Sequence, residues 1–272
     1  MRDFVSKNVY ITGGSSGIGL STASMLVGAG ANVIIFARTR EKLETALKQI
    51  EQQRVSPAQR FAFQRLDVAD HGMVNEVMSA AVKDFGVPDL LINCAGRAYP
   101  RYFEDISYAQ FDDTLKTNLY SIWSTVSVLV PFMKQKGGTI VNVSSIAGFV
   151  GVFGYTDYSA SKFGIIGLSE ALKQELRRYG ISVAVLCPPD TETPGFATEN
   201  LTKPEETKAL SKSAKVMQPD DVAKALIAGI RKDTFMIIPG FDGKLTQVMK
   251  GLLPSVVDLV MEGTIRKVQK GK

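Results

Sequence analysis

NVYITGGSSGIG, Asn8 to Gly19, is the stretch from which the rest of the chain is read. A short β-branched run enters a glycine-rich turn, and a helical pattern opens at Gly17. Glycines at 13, 17 and 19 permit a tight turn, a close backbone approach to phosphate, and close helix–sheet packing. A helix starting there directs unpaired N–H groups and a favourable dipole at the turn, which suits a pyrophosphate. Ser15, Ser16 and Ile18 complete the cradle. Glycines occur in any tight strand-to-helix turn. Placement after the first strand and before a helix is the context that dinucleotide binding requires.

The second strand, NVIIFARTREKL from Asn32, bears on which dinucleotide is held. NAD-selective sites of this design carry a carboxylate at the strand end for the ribose 2′-OH. Here Ala37 stands in that place, followed by Arg38, Arg40 and Lys42. A 2′-phosphate would pair with Arg38 through charge-assisted bonds, with Lys42 beside it. The expectation is NADP(H); the plain alternative is a solvated basic turn.

Further strand candidates are FAFQRL, LLIN, TIVNVS, ISVAVL and FMIIP, separated by helical segments such as Gly17–Gly30 and Ser159–Tyr179. Strands apolar on both faces, alternating with helices, indicate a parallel sheet covered on each side. The expected fold is α/β: a single doubly wound Rossmann-type domain with a mostly parallel seven-stranded sheet and helices on both faces. Residues 1–240 form it, 190–216 act as a substrate lid, and 241–272 are an amphipathic helical extension.

Composition narrows the function. The chain has 272 residues, 45% apolar and 22% charged, with net charge +5 and no dense basic block before its last residues. Nucleic-acid binding is therefore not expected. No apolar run approaches the roughly 18 residues of a membrane span. The first residues lack a signal core, and the two cysteines, Cys94 and Cys187, each follow an apolar run. They read as buried thiols in a reducing, cytoplasmic setting. His71 is the only histidine, so no multi-histidine metal site exists and no metal is expected. His71 itself reads as a solvated or helix-capping residue.

Past the middle runs TIVNVSSIAGFVGVFGYTDYSASKFG. Tyr158 and Lys162 are four apart at a helix start, so they share a face. A close ammonium favours the phenolate and lowers the tyrosine pKa towards useful acid–base range. Ser145, at the end of the preceding strand, can offer a hydroxyl to a carbonyl oxygen. The pair alone would equally suit an exposed helix face. Together, TGGSSGIG, NCAG, Asn118 in KTNLYS, the Ser145 region and YSASK resemble the short-chain dehydrogenase/reductase family, from about Lys7 to Phe235. The resemblance implies that Tyr158 exchanges the proton with the substrate oxygen, Lys162 lowers its pKa and binds the nicotinamide ribose, and Ser145 polarises the carbonyl. Ser144 is the alternative if the alignment slips by one. Asn118 would place a water continuing a proton path. Asn93, Ala95, Gly96 and Pro188 would line the cofactor, and Asp67 with Val68 would contact adenine. Cys94 replaces the second asparagine of that family motif.

The elbow CPPDTETPGF, Cys187 to Phe196, and the segment GYTDYSASKFGIIGLSEALKQEL are similar to 3-ketodihydrosphingosine reductases within that family. That likeness implies NADPH-dependent reduction of a long-chain lipid ketone, 3-ketosphinganine. The rivals are another hydrophobic carbonyl (a steroid, retinoid or 3-oxoacyl thioester) and, in a different class, a non-catalytic NADP(H) sensor. Asp190 would pair with a substrate amine or cap the following turn. The C-terminal stretch from Gly240 carries an apolar stripe divided at Pro254, with six basic residues, Lys272 among them, against three acids. It suits a subunit contact, a flap over the pocket, or peripheral membrane contact. The segment Phe111–Met133, holding Trp123, would be a buried core helix or part of an interface in a homodimer or homotetramer.

Overall fold

The computed structural model describes residues 1, 3–212 and 215–271. Ser213 and Ala214 of the expected lid, and Lys272 of the basic terminus, lie outside the described residues. Seven strands, β1 (Asn8–Thr12), β2 (Asn32–Ala37), β3 (Phe61–Arg65), β4 (Leu90–Asn93), β5 (Gly138–Val143), β6 (Ile181–Leu186) and β7 (Met236–Ile237), form one sheet in the order β3-β2-β1-β4-β5-β6-β7. Every neighbouring pair is parallel. The helices are α1 (Gly17–Gly28), α2 (Arg40–Glu51), α3 (His71–Phe85), α4 (Tyr108–Leu115), α5 (Ser121–Met133), α6 (Thr156–Leu176), α7 (Pro194–Asn200), α8 (Glu205–Ser211), α9 (Pro219–Arg231), α10 (Phe241–Leu252) and α11 (Pro254–Lys270).

Successive strand residues point to opposite faces, and both faces are buried. Val9, Ile11, Val33, Ile35, Leu90 and Ile92 pack with α1, α2 and α9 through Leu26, Leu43 and Leu226. Tyr10, Ile34, Phe36, Leu91 and Ile140 pack the other way, against α3, α5 and α6 through Met78, Leu129 and Ile165. The run of apolar residues without polar alternation follows from this double burial. Strand order reverses between β1 and β4, and such a switch point opens a crevice at the carboxyl ends of the strands.

Some local expectations change. The segment from Phe111 to Met133 is helical throughout, as expected, but a π-helical turn at Lys116–Tyr120 is inserted between α4 and α5. Such wide turns recur at functional sites, and Asn118 sits in this one. Along α5, Ile122, Val126 and Leu129 are core, as a buried helix requires, while Trp123 is 56% exposed. His71 does not cap its helix. Asp70 does so, accepting from the Met73 N–H at 3.0 Å, while His71 Nδ1 lies 3.0 Å from the Ser124 hydroxyl. Pro254 divides the terminal stretch into α10 and α11.

Candidate active site

The carboxyl ends of β1, β2, β4, β5 and β6 open into one cavity of about 880 Å³. Its floor is the glycine turn. Gly13 and Gly17 have φ of +70° and +52°, a region that favours glycine, and a Cβ on Gly13 would meet the Ala95 nitrogen at 2.8 Å. A Cβ on Gly19 would land on the Gly13 carbonyl oxygen. Ser16 is the N-cap of α1, but its side chain makes no capping bond. The first-turn N–H groups are therefore free of a capping side chain beside a cavity lined by Gly13, Ser15, Ser16, Gly17, Ile18 and Gly19. A cradle that any Cβ would fill, at a helix end without a side-chain cap, fits a dinucleotide diphosphate.

Around the β2 end, Arg38 and Lys42 line the cavity, whereas Arg40 turns away to pair with Glu44 at 2.9 Å. Asp67 and Val68, beyond β3, form the adjoining wall; one Asp67 oxygen holds its own turn by accepting the Ala69 N–H at 3.0 Å. Ala95, Gly96 and Pro188 also line the cavity. Asn93 does not. Its side chain is buried in the layer between sheet and helices, donating to Asn142 at 2.9 Å and accepting from Thr125 at 2.8 Å. The expectation that it lines the cofactor is corrected accordingly.

The helix start that carries Tyr158 and Lys162 is fixed by a fully buried acid. Asp157 accepts the Tyr158 N–H at 2.8 Å, and it also receives the Thr114 hydroxyl at 2.8 Å and the Gln110 amide at 3.1 Å. That network ties α6 to α4. Tyr158 and Lys162 share a face as their spacing predicts, with the ammonium 5.3 Å from the ring centroid. Ser145, beyond β5, lines the cavity with Tyr158, near enough for its hydroxyl to favour the phenolate. Ser144 instead donates to the Lys162 carbonyl at 2.8 Å, so the one-residue alternative falls away geometrically.

The electrostatics differ from expectation. Burial pushes Tyr158 well above the ordinary phenol value, the Glu199 and Asp190 charges push the same way, and the Ser145 hydroxyl pulls back. The Lys162 ammonium donates to the Val143 carbonyl at 3.0 Å, and burial pushes the amine down to about 8. Asn118 sits beside this cluster, in the π-helical turn. Its Nδ2 donates to the Arg97 carbonyl at 2.9 Å and to Ser161 at 3.0 Å, and its Oδ1 accepts the Arg97 N–H at 2.9 Å. Through these bonds the side chain holds the loop after β4 against α6. Cys94 and Cys187 are both free thiols, and burial pushes Cys187 up to about 12.

The elbow after β6 is bonded to its surroundings. Ile146 N–H donates to the Pro188 carbonyl at 3.2 Å, and Met217 N–H to the Asp190 carbonyl at 2.9 Å. Asp190 does not cap the next helix; Thr193 does, accepting the Phe196 N–H at 3.0 Å. The Asp190 carboxylate lines the cavity 3.8 Å from the Lys203 ammonium. On α7, Glu199 accepts the Tyr155 hydroxyl and pairs with Lys203 at 3.1 Å. Thr207 of α8 donates to the Phe153 carbonyl at 2.7 Å. The described part of the expected lid is thus pinned by polar contacts to the rest of the domain. Neither Tyr155 nor Glu199 stands out in the sequence. The i, i+4 pair of Glu199 and Lys203 is the one signal there.

Beyond Tyr158 the cavity turns apolar. Leu245 and Met249 of α10, and Val257 and Met261 of α11, supply this wall, with Leu210 of α8 opposite. The stripe divided at Pro254 therefore faces the pocket in part, while Phe241, Leu252 and Leu259 stay at least 70% exposed. Among the described residues no helix is long and apolar enough to cross a membrane, and no metal-binding cluster occurs.

Comparison with known proteins agrees with this geometry. The sequence model of the short chain dehydrogenase family matches residues 7–204. The bovine 3-ketodihydrosphingosine reductase (Bos taurus) is 39% identical over 267 residues, covering 97% of this chain and 80% of that one. Levodione reductase superposes with a TM-score of 0.79 at 25% identity, over 89% of this chain and 99% of that one. A single-substitution variant of actinorhodin polyketide ketoreductase with NADPH gives 0.76 at 28% identity, over 86% and 95%. With a doubly wound sheet, a glycine cradle and a Ser145–Tyr158–Lys162 cluster at its switch point, this chain belongs to the short-chain dehydrogenase/reductase family, as an NAD(P)-dependent oxidoreductase acting on CH–OH and C=O groups.

Proposed function

We propose that the protein is an NADPH-dependent reductase of a long-chain lipid ketone, with 3-ketosphinganine as the substrate that fits best. The carrying observation is the position of the Ser145–Tyr158 pair, at the junction of a polar nucleotide cradle and an apolar lobe within one cavity. The name of the bovine relative supports the same substrate.

The glycine cradle holds the pyrophosphate, Arg38 and Lys42 the 2′-phosphate, Asp67 and Val68 border the adenine, and Tyr158 and Lys162 hold the nicotinamide ribose. When bound, NADPH supplies the hydride. Ser145 donates a hydrogen bond to the ketone oxygen, and Tyr158 gives its proton to that oxygen as negative charge develops there. Two hydroxyls directed at one oxygen stabilise the transition state more than the ketone. Burial keeps Tyr158 a neutral phenol through the neutral range, which suits a proton donor and hence reduction. Asn118 acts by positioning Arg97 and, through Ser161, the helix of Tyr158.

Residues 1–240 carry the chemistry, and α10 and α11 of the C-terminal extension close the apolar lobe over the alkyl chain. The exposed Tyr120, Trp123 and Phe163 suit a second copy of the chain, and the exposed Phe241, Leu252 and Leu259 suit peripheral contact with a lipid surface. A non-catalytic NADP(H) sensor would have no use for the Ser145–Tyr158–Lys162 arrangement. The test is NADPH consumption with 3-ketosphinganine, a 3-oxoacyl thioester and a steroid ketone. The first should give the highest kcat/KM; preference for either other ketone would reassign the substrate.

A further inference from the structure

The wall beside Tyr158 carries a charge that hydride transfer does not use. Two carboxylates, Asp190 and Glu199, line the cavity there, and the nearly fully buried Lys203 ammonium stands 3.8 Å from one and 3.1 Å from the other. One cation shared by two anions leaves a formal charge of −1 in this cluster. The other cations of the cavity are engaged or remote. Arg97 pairs with Asp113, Lys162 donates to the Val143 carbonyl, and Arg38 and Lys42 stand at the β2 end. Uncompensated charge in a low-dielectric wall is costly unless a counter-charge completes it.

The cluster reaches the reacting group. Glu199 accepts the Tyr155 hydroxyl, and the Tyr155 and Tyr158 rings are 5.5 Å apart. Of the charges that act on Tyr158, that of Glu199 is the largest, ahead of Asp190. We propose that Glu199, backed by Asp190, is the specificity-determining residue that receives a substrate ammonium on the carbon next to the ketone. This rests on the lipid-ketone reading above and adds an amine requirement to it. It also moves the amine contact expected for Asp190 onto a residue closer to the reaction. A bound ammonium offsets the negative charge that raises Tyr158, so a cationic amino ketone strengthens its own proton donor. A 3-oxoacyl thioester or a steroid offers no such charge.

The test uses the full chain with NADPH and two ketones of identical chain length, 3-ketosphinganine and its N-acetyl derivative, which lacks the charge. The wild-type protein should favour the free amine in kcat/KM by about 10- to 100-fold, the range of one charge-assisted hydrogen bond. Glu199→Gln keeps a partner for Tyr155 yet should bring that ratio close to one. Tyr155→Phe loosens the same pin but keeps the carboxylate, and should retain the preference, which separates recognition from a structural role. If Glu199→Gln does not fold, Asp190→Asn should still lower the ratio, by a smaller factor. A wild-type ratio in Glu199→Gln, or reduction of both ketones equally by the wild type, overturns the inference. If neither ketone is reduced, the lipid-ketone reading fails and this inference falls with it.

Discussion

Replacing Arg38 with aspartate should reverse the cofactor preference. Arg38 is exposed at the end of β2 and lines the cavity with Lys42, while the third cation of that turn, Arg40, is committed to Glu44 at 2.9 Å. Ala37 offers no carboxylate, so nothing at this strand end selects for a free ribose 2′-OH. Arg38→Asp removes a charge-assisted contact to the 2′-phosphate, about 1.5–3 kcal/mol. It also sets a carboxylate against that phosphate. Solvent at this exposed site screens the repulsion to about 1 kcal/mol. The sum, about 2.5–4 kcal/mol, corresponds to a change of about 70- to 1000-fold in the NADPH-to-NADH ratio of kcat/KM. Lys42 retains part of the NADPH affinity, so adding Lys42→Ala should extend the shift. The assay is initial rate against each cofactor at fixed ketone. An unchanged ratio would refute the assignment of Arg38 to the 2′-phosphate.

Three further outcomes follow from the geometry. Burial depresses Lys162 from 10.5 unfolded to about 8 folded, so between those values the unfolded chain binds more protons and stability rises with pH. The full penalty, about 3 kcal/mol, applies below pH 8. The stability of Lys162→Met relative to wild type, read from denaturant midpoints, should therefore decline as pH rises from 8 to 10.5; parallel curves would contradict this. Gly19→Ala drives a Cβ onto the Gly13 carbonyl and should cost about 1–3 kcal/mol of stability while weakening NADPH binding by fluorescence titration; wild-type affinity would dismiss the cradle. Val257→Trp crowds the apolar lobe, and displacing two methylenes would cost about 1.6 kcal/mol, roughly 15-fold in kcat/KM. That loss should appear with a long-chain ketone and not with a short one. Equal losses on both would argue that the chain lies elsewhere.

How much of this the sequence discloses depends on the range of the interaction. The seven strands and the glycine turn are local patterns. Double burial makes a strand run such as Val9–Ile11 apolar on both faces, and the turn needs glycine for reasons internal to it. Tyr158 and Lys162 are legible because a helix brings i and i+4 together. What stays hidden depends on contacts distant in sequence. Asn93 sits in a cofactor-lining motif but is drawn under the sheet by Asn142 and Thr125, which nothing near it announces. Asp190 looks like a turn former, yet Thr193 takes the cap. Glu199 lies in a polar run that reads as solvent-facing, yet it is half-buried and bonded to Tyr155, 44 positions away. Proximity to Lys162 suggests a lowered pKa for Tyr158, yet the net shift is upward, because burial and the charges of Glu199 and Asp190, both distant in sequence, push the other way.

The most direct test of the account is product formation from 3-ketosphinganine at saturating NADPH, by the wild-type protein and by Tyr158→Phe in parallel. The account predicts that the wild type forms one sphinganine for each NADPH consumed. Tyr158→Phe should still bind NADPH but react about 10²- to 10⁴-fold more slowly, the usual contribution of a positioned general acid. Equal rates for the two proteins, or NADPH binding by the wild type with no ketone reduced, would contradict it.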